Sequence, residues 1–387
     1  MAEMSQLPES QSDRYRCWAE IDLAAIRHNA RVAQRYTGAN KPSVIAVIKA
    51  DGYGHGAAEV ARALVNEQCV LGFGVAIINE AWELKLNLPG KLKRPVWVLG
   101  PAALPWERHA IVSEGFIPVV SDFDGARPFS EVAESVHKEA RIQLAVDTGM
   151  GRAGCRPGEV VNLAKQIANL PGVAIESIGS HLPSADEDEA FTQDQLRRFR
   201  GIVRELRRAG VAFDHAHIAN SAGTLGYATE DGESVRVGLM LYGCSPLPEQ
   251  QTELRPVLSW KSRVCLVREL PVGHGVSYGR TFVTGRPTLA ATISVGYADG
   301  FPRHLSGVGT EVLIRGRRCS LLGRVTMDQI IVDVTDMPEL PVAGDEVVLI
   351  GNQDSESISV DELAGRAGTI PWEIFTGIGR RVHRVYY

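Results

Sequence analysis

The segment SVIAVIKADGYGHGAAEVARALVNEQ, residues 43–68, decides the fold. It opens with an apolar run long enough for a buried strand, turns through glycines, and ends with apolar residues at the three- and four-residue intervals of a helix. Strands that are apolar along their whole length and alternate with helices are typical of a parallel sheet covered by helices. Further apolar runs of this kind follow at 70–76, 95–100, 116–120, 142–146, 173–179, 215–219 and 235–243.

Together these eight runs fit a closed barrel better than an open sheet, so we predict an α/β fold, a (β/α)8 TIM-like barrel. A doubly wound open sheet is the alternative. The later part of the chain has a different pattern, in which Gly, Pro and Asp turns separate the apolar runs and few gaps are long enough for a helix. We therefore predict a C-terminal, mainly antiparallel β domain. Its apolar runs lie at 257–270, 288–297, 311–325, 330–334 and 346–351.

The predicted domains are a barrel over residues 22–250 and a β domain over residues 251–387, which a short N-terminal strand around residues 16–21 joins. The Pro- and Gln-rich segment PLPEQQTELRP, residues 246–256, has the composition of a linker. The chain has 387 residues, and a barrel takes about 250 of them, which leaves room for one smaller domain.

Composition narrows the functional class. The chain is 44% apolar, and 41 basic against 46 acidic side chains give a net charge of -5, which is ordinary for a globular enzyme and indicates neither a nucleic-acid nor a membrane-surface partner. The start of the chain lacks the apolar core of a signal peptide, and no segment approaches the ~20 apolar residues of a membrane span, so we expect a cytoplasmic protein. The six cysteines have no CxxC or metal-ligand spacing, so we expect buried free thiols and no metal site.

Lys49 follows the first apolar run directly, and residues at the carboxyl ends of barrel strands line the active site. A partly desolvated amine at a barrel mouth has a lowered pKa and can act as a nucleophile that forms an imine. The glycines at 52, 54 and 56 let the backbone turn tightly beside a ligand. Tyr53 offers a hydroxyl to a phosphate.

The motif VIKADGYGHG resembles that of the alanine racemase family, pyridoxal-phosphate enzymes made of a barrel and a β domain, and the resemblance extends over nearly the whole chain. It implies that Lys49 binds pyridoxal phosphate covalently and that the protein interconverts L- and D-alanine. In the same way, Ser221 in HIANSAGTLGY resembles a phosphate ligand of the family, as do the amides of Gly238 and Leu239 in VRVGLMLYG, together with Tyr53.

Arg236 resembles the family's arginine beside the pyridine nitrogen of the cofactor. An arginine gives up its proton so reluctantly that the ring stays unprotonated, which favours racemisation over transamination. His181 in IGSHLPSADE and His217 match histidines that, with this arginine, provide a cationic field in the family. This field is expected to lower the pKa of a catalytic tyrosine.

Racemisation needs two proton carriers on opposite sides of Cα. Lys49 serves one face, and Tyr278 in GHGVSYGRTF matches the family's tyrosine, which the second subunit supplies. The substrate carboxylate is expected to meet Arg152, and Tyr297 and Met327 resemble β-domain residues that close the pocket. The resemblance therefore implies a homodimer with shared active sites and a small amino acid as substrate.

Two of the departures from the family pattern fall at expected contacts of the site. Ala145 replaces a lysine that is often carbamylated and that holds the substrate-side arginine, so we hypothesise a chloride beside Arg152. Trp372 stands where a tyrosine usually reaches the cofactor phosphate. Three other functions stay open: a racemase of broader alanine and serine specificity, a decarboxylase of the same architecture, and a non-catalytic pyridoxal-phosphate-binding protein.

Overall fold

The computed structural model describes residues 14–230 and 232–387. Contacts divide the chain into two compact units. The first, which we call the barrel unit, is Ala24–Arg255. The second, the β unit, combines the N-terminal segment that ends at Leu23 with Pro256–Tyr387.

The barrel unit contains a closed barrel of parallel strands, each paired with the next and the last with the first. This closure confirms the predicted (β/α)8 barrel and excludes the open sheet. Side chains fill the interior, where Ile45, Trp97 and Ile117 form one buried cluster. The strands are β2 (Val44–Val47), β3 (Val70–Val75), β4 (Val96–Val98), β5 (Ile117–Val120), β6 (Ala140–Ala145), β7 (Val173–Gly179), β8 (His215–His217) and β9 (Glu233–Val237).

Helices cover the outside of the barrel, and α8 shows why the sequence forms them. The carboxylate of Asp188 accepts a hydrogen bond from the amide of Phe191 (3.0 Å) and caps the first turn, while Arg207 and Arg208 occupy the last turn, where cations are favoured. The helices are α1 (Leu23–Thr37), α2 (Lys49–Tyr53), α3 (Ala57–Leu64), α4 (Ile78–Asn87), α5 (Pro105–Glu114), α6 (Phe123–Val136), α7 (Val160–Ala168), α8 (Glu189–Arg208) and α9 (Ser221–Gly226). Of these, α2 is a short turn whose residues after Lys49 have left-handed backbone angles.

The β unit is built on a mainly antiparallel sheet, as predicted. Its central strand β10 pairs antiparallel with β1, β13 and β17, and among the described strands of this unit only β19 pairs parallel, with β1. The strands are β1 (Cys17–Ile21), β10 (Leu258–Leu270), β11 (Gly275–Val276), β12 (Phe282–Val283), β13 (Thr288–Ile293), β14 (Glu311–Ile314), β15 (Arg317–Ser320), β16 (Ile330–Asp333), β17 (Glu346–Gln353), β18 (Glu356–Ile358) and β19 (His383–Tyr386).

Two features differ from the sequence-based expectation. The β unit also contains two short helices, α10 (Val360–Ala367) and α11 (Pro371–Gly377). The segment expected to be a linker forms a 3₁₀ helix, Pro248–Glu253, that is hydrogen-bonded to α1, because Tyr36 donates to the Oε1 atom of Gln250 (2.9 Å). This segment is therefore an ordered part of the barrel unit.

Two expectations about composition can be compared with the structure. Five of the six cysteines are buried free thiols, as expected, whereas Cys265 is exposed. In the part of the chain that the structure describes, no helix combines the length and apolar character that crossing a membrane requires.

Candidate active site

Lys49 begins α2 just beyond the carboxyl end of β2, at the mouth of the barrel, and it is partly buried. Burial lowers the pKa of its amine from the ordinary value, because the ammonium form loses hydration. The positive charges of Arg152 and Arg236 act in the same direction, and the carboxylate of Glu80 opposes them. The predicted lowering of this pKa is confirmed, and a larger fraction of the amine is free to act as a nucleophile near neutral pH.

The turn that follows Lys49 is left-handed. The φ angles of Ala50, Asp51 and Tyr53 are 52°, 52° and 53°, a conformation that costs an L-residue with a Cβ atom about 1–2 kcal/mol. Such strain persists only where the surrounding structure fixes it, and it is concentrated at functional sites. Here it sets the direction in which the side chains of Lys49 and Tyr53 leave the backbone.

Two carboxylates hold this strained turn, and the sequence analysis missed both. One oxygen of Glu80 accepts a hydrogen bond from the amide of Ala50 (2.6 Å), and its other oxygen accepts one from the amide of Ala76 (2.6 Å). Asp51 accepts a hydrogen bond from the amide of Ala57 (2.8 Å), at the start of α3. A signal for Glu80 exists in the sequence, since it is a glutamate at the third position of the helix that follows a buried strand.

A polar cradle lies beside the turn. The Oγ atom of Ser221 accepts hydrogen bonds from the amides of Gly238 (3.1 Å) and Met240 (3.3 Å). A Cβ atom on Gly238 would overlap the hydroxyl of Tyr53, so a larger residue there would displace that side chain. The buried Leu239 continues this backbone turn. The structure thus brings together all the residues that were predicted to hold a phosphate.

Burial raises the pKa of Tyr53 to about 12. Its hydroxyl therefore stays protonated at neutral pH and can donate a hydrogen bond to an anion. Hydroxyl and amide donors in one small cradle are suited to an oxyanion such as phosphate. The sequence analysis did not single out Tyr242, whose ring packs against Tyr53 at a centroid distance of 4.9 Å and whose hydroxyl donates to the carbonyl of Val47 (3.1 Å).

Arg236 is buried near the carboxyl end of β9. One guanidinium nitrogen donates to the Nδ1 atom of His217 and to its carbonyl (3.0 Å). The other donates to the Nδ1 atom of His181 (3.1 Å) and to the carbonyls of Ser180 and Ile218. The three predicted residues Arg236, His181 and His217 therefore form one hydrogen-bonded group.

The charges within this group differ from those expected. Burial and the nearby Arg152 lower the pKa of Arg236 to about 10, so it stays protonated at pH 7. Burial, followed by the charge of Arg236, lowers the pKa of His181 to about 3 and that of His217 well below its ordinary value. Both histidines are therefore neutral, and the expectation that they contribute positive charge is wrong. They act instead as acceptors that hold the arginine.

Arg152 is exposed, in a loop after β6. It is nevertheless close enough to the site for its positive charge to lower the pKa of Lys49, His181 and Arg236. The structure thus places Arg152 with the other predicted residues of the barrel unit. Ala145 is buried at the end of β6 and presents only a methyl group.

Tyr278, Tyr297 and Met327 all lie in the β unit, and their exposed fractions are 70%, 43% and 52%. Hydrogen bonds connect their loops: the amide of Ala298 donates to the carbonyl of Met327 (3.0 Å), and the serine before Tyr278 donates to the carbonyl of Arg324 (2.6 Å). The loops that carry Tyr297 and Met327 are therefore hydrogen-bonded to each other. The loop that carries Tyr278 is hydrogen-bonded to Arg324, which is close to Met327 in the sequence.

Comparison with known proteins decides the family. A family model described as "Alanine racemase, N-terminal domain" matches residues 21–246, and one described as "Alanine racemase, C-terminal domain" matches residues 257–386. The chain belongs to the alanine racemase family. The alanine racemase of Symbiobacterium thermophilum is 43% identical to it over 373 residues, which are 95% of this chain and 96% of that relative.

Solved alanine racemases share the whole fold. The alanine racemase of a D-cycloserine-producing Streptomyces lavendulae superposes with a TM-score of 0.88 at 35% identity, and covers 99% of this chain and 98% of its own. That of Bartonella henselae, solved with covalently bound pyridoxal phosphate, gives a TM-score of 0.85 at 32% identity, over 96% of this chain and 99% of its own.

Proposed function

We propose that this member of the alanine racemase family interconverts L- and D-alanine with pyridoxal phosphate as cofactor. The observation that carries the proposal is Arg236, a buried guanidinium that stays protonated and that two neutral histidines hold in place. Membership of the family and its solved relative with bound pyridoxal phosphate support the choice of cofactor.

The residues at the barrel mouth fit this cofactor. Lys49, an amine of lowered pKa, would bind its aldehyde, and the hydroxyl and amide donors around Ser221 would bind its phosphate. Because Gly238 has no Cβ atom, its backbone lies close to the hydroxyl of Tyr53. The backbone amide and the hydroxyl would therefore both be able to donate to the same anion. Leu239 would contribute its backbone amide, as in the family pattern.

Bound pyridoxal phosphate withdraws electrons from the Cα atom of an amino acid and makes the Cα proton removable. Arg236 would donate a hydrogen bond to the ring nitrogen without giving up its proton, so that nitrogen stays unprotonated and the electron sink stays weak. A weak sink favours prompt return of a proton to Cα. This reasoning distinguishes a racemase from a decarboxylase of the same architecture, in which an acid faces the nitrogen.

Two proton carriers complete the proposed reaction. Lys49 would remove or return the proton on one face of Cα, and Tyr278 of the partner subunit would do so on the other. The proposal therefore includes a homodimer with shared sites, built from barrel domains over residues 22–250 and β domains over residues 251–387. The exposure of Tyr278, Tyr297 and Met327 supports it, because such side chains are available to a partner.

The substrate carboxylate would be bound by the side chain of Arg152 and by the backbone amide of Met327, and Tyr297 would lie beside it. Because Ala145 offers no anion to orient the arginine, we propose that a chloride takes this role. If so, replacing chloride by a non-coordinating anion should weaken alanine binding, and activity that does not depend on chloride would contradict this part of the proposal.

The direct test of function is an assay of the purified protein with pyridoxal phosphate and a panel of amino acids. D-alanine should form from L-alanine, and in heavy water the product should carry deuterium at Cα. Comparable rates with serine would support the broader specificity. Release of carbon dioxide from lysine, ornithine or diaminopimelate would instead favour the decarboxylase, and cofactor binding without any turnover would favour a non-catalytic protein.

We also propose that the protein acts in the cytoplasm and supplies D-alanine as a precursor of peptidoglycan. A bacterial strain that requires D-alanine because it lacks its own racemases should grow without it when this chain is expressed. The Lys49→Ala variant is the control and should not restore growth.

A further inference from the structure

His217 has a second ring nitrogen that the site described above does not use. Its Nδ1 atom accepts a hydrogen bond from Arg236, so the proton of the neutral ring lies on Nε2. Its exposed fraction is 0%, and among the described residues Nε2 has no hydrogen-bond partner. A buried donor of this kind is costly unless it finds an acceptor.

Gln143 presents a matching unused group. It lies on β6 with an exposed fraction of 6%, and its Oε1 atom also lacks a partner among the residues that the structure describes. A Cβ atom on Gly179 would overlap both the Nε2 atom of Gln143 and the Cε1 atom of His217. Both side chains therefore approach the bare Cα atom of Gly179, which lies between them on β7.

The orientation of the Gln143 side-chain amide decides whether its oxygen or its nitrogen faces His217. The oxygen and nitrogen atoms of a glutamine amide are similar in size, and a rotation of about 180° around the last side-chain bond exchanges their positions. In the exchanged orientation, Oε1 of Gln143 takes the place beside the ring of His217. The Oε1 atom of Gln143 could then accept a hydrogen bond from the Nε2–H group of His217, and both groups would have a partner.

We propose that Gln143 is a positioning residue that accepts a hydrogen bond from the Nε2–H group of His217. This bond fixes the histidine tautomer whose bare Nδ1 atom receives Arg236, and so it holds the guanidinium in place. The role in catalysis rests on the proposed racemase function. The hydrogen bond itself concerns only this chain's own residues.

The test compares ¹⁵N-histidine NMR spectra of the holoenzyme and its Gln143→Met and Gln143→Glu variants, with the His217 signals assigned through His217→Asn. Methionine keeps the volume and removes the acceptor, whereas glutamate keeps an acceptor. Ser177→Ala is the matched control, because it removes another buried polar group of the barrel interior, one that binds Trp97.

In the wild type, the His217 proton should lie on Nε2 and exchange slowly with solvent. The Nε2 resonance should shift in Gln143→Met, and its slow exchange should be retained in Gln143→Glu and Ser177→Ala. The kcat for alanine should fall about three- to tenfold in Gln143→Met, the size of one lost hydrogen bond, while KM stays within about twofold.

A wild-type proton on Nδ1 would overturn the proposal without any variant. An Nε2 resonance that is the same in Gln143→Met, or that moves equally in Ser177→Ala, would also overturn it. If the wild type does not racemise alanine, the proposed function fails, and the NMR comparison still decides the bond between Gln143 and His217.

Discussion

At the scale of single residues, the site depends on an amine placed among fixed charges. Lys49 is partly buried and experiences two guanidinium groups and one carboxylate. Because the two positive charges act together with burial, the pKa of Lys49 is lowered, which increases the fraction of the neutral amine that can attack an aldehyde. The same surroundings make the histidines neutral, so positive charge at the site belongs to the arginines.

We predict that Arg152→Ala raises the pKa of Lys49, because it removes one of the charges that disfavour the ammonium form. In the cofactor-free protein, labelling of Lys49 by an amine-specific reagent, followed by mass spectrometry, should then have its midpoint at higher pH than in the wild type. The wild-type midpoint should lie below the ordinary value of 10.5.

The control is Arg208→Ala. Arg208 ends α8, and because helices run opposite to the strands of such a barrel, it lies at the other end from Lys49. Its loss should leave the midpoint unchanged. Equal shifts in the two variants would mean that net charge, and not the position of Arg152, sets the pKa.

The sequence was sufficient to predict the lowered pKa of Lys49, since a lysine after a buried strand of a barrel is desolvated. It was insufficient for the charges of His181 and His217. Their neutrality depends on burial beside Arg236, a contact between residues distant in the sequence that no local pattern reveals. Gln143 was missed for the same reason.

At the scale of elements, the left-handed turn from Ala50 to Tyr53 is the feature that fixes Lys49, the proposed nucleophile. The turn is strained and depends on hydrogen bonds from outside, chiefly those that Glu80 accepts from two segments of backbone. A carboxylate suits this task because it offers two acceptor oxygens, one for each amide.

We predict that Glu80→Gln lowers the free energy of unfolding by about 1–3 kcal/mol, because the amide side chain has one acceptor oxygen and leaves one backbone amide without its charged partner. Urea denaturation measures the change. Glu83→Gln, on the same helix but exposed, should alter stability by less than about 0.5 kcal/mol. A similar loss in both variants would contradict this role of Glu80.

Strands with continuous apolar sequence were the easiest elements to predict. Each of the eight barrel strands was visible as an apolar run, and the long strand β10 was visible as well. The helices α10 and α11 were missed because they are only two turns long and contain or adjoin Gly and Pro. The 3₁₀ helix at residues 248–253 has the composition of a linker, and tertiary hydrogen bonds to α1 order it.

At the scale of the whole molecule, the proposed chemistry is divided between two units of the chain. Lys49, Arg236 and the polar cradle around Ser221 lie in the barrel unit, whereas Tyr278 lies in the β unit and is largely exposed. In the proposed mechanism, Tyr278 serves the barrel unit of a second subunit. Activity should therefore belong to the dimer and not to the single chain.

The most direct test mixes the Lys49→Ala and Tyr278→Phe proteins under conditions that allow subunits to exchange. In a mixed dimer, one site has lost both groups and the other has both intact, and half of the dimers in a random equal mixture are mixed. The account predicts that racemisation recovers to about a quarter of the wild-type rate. Activity that stays at the mean of the two separate variants after exchange would contradict it.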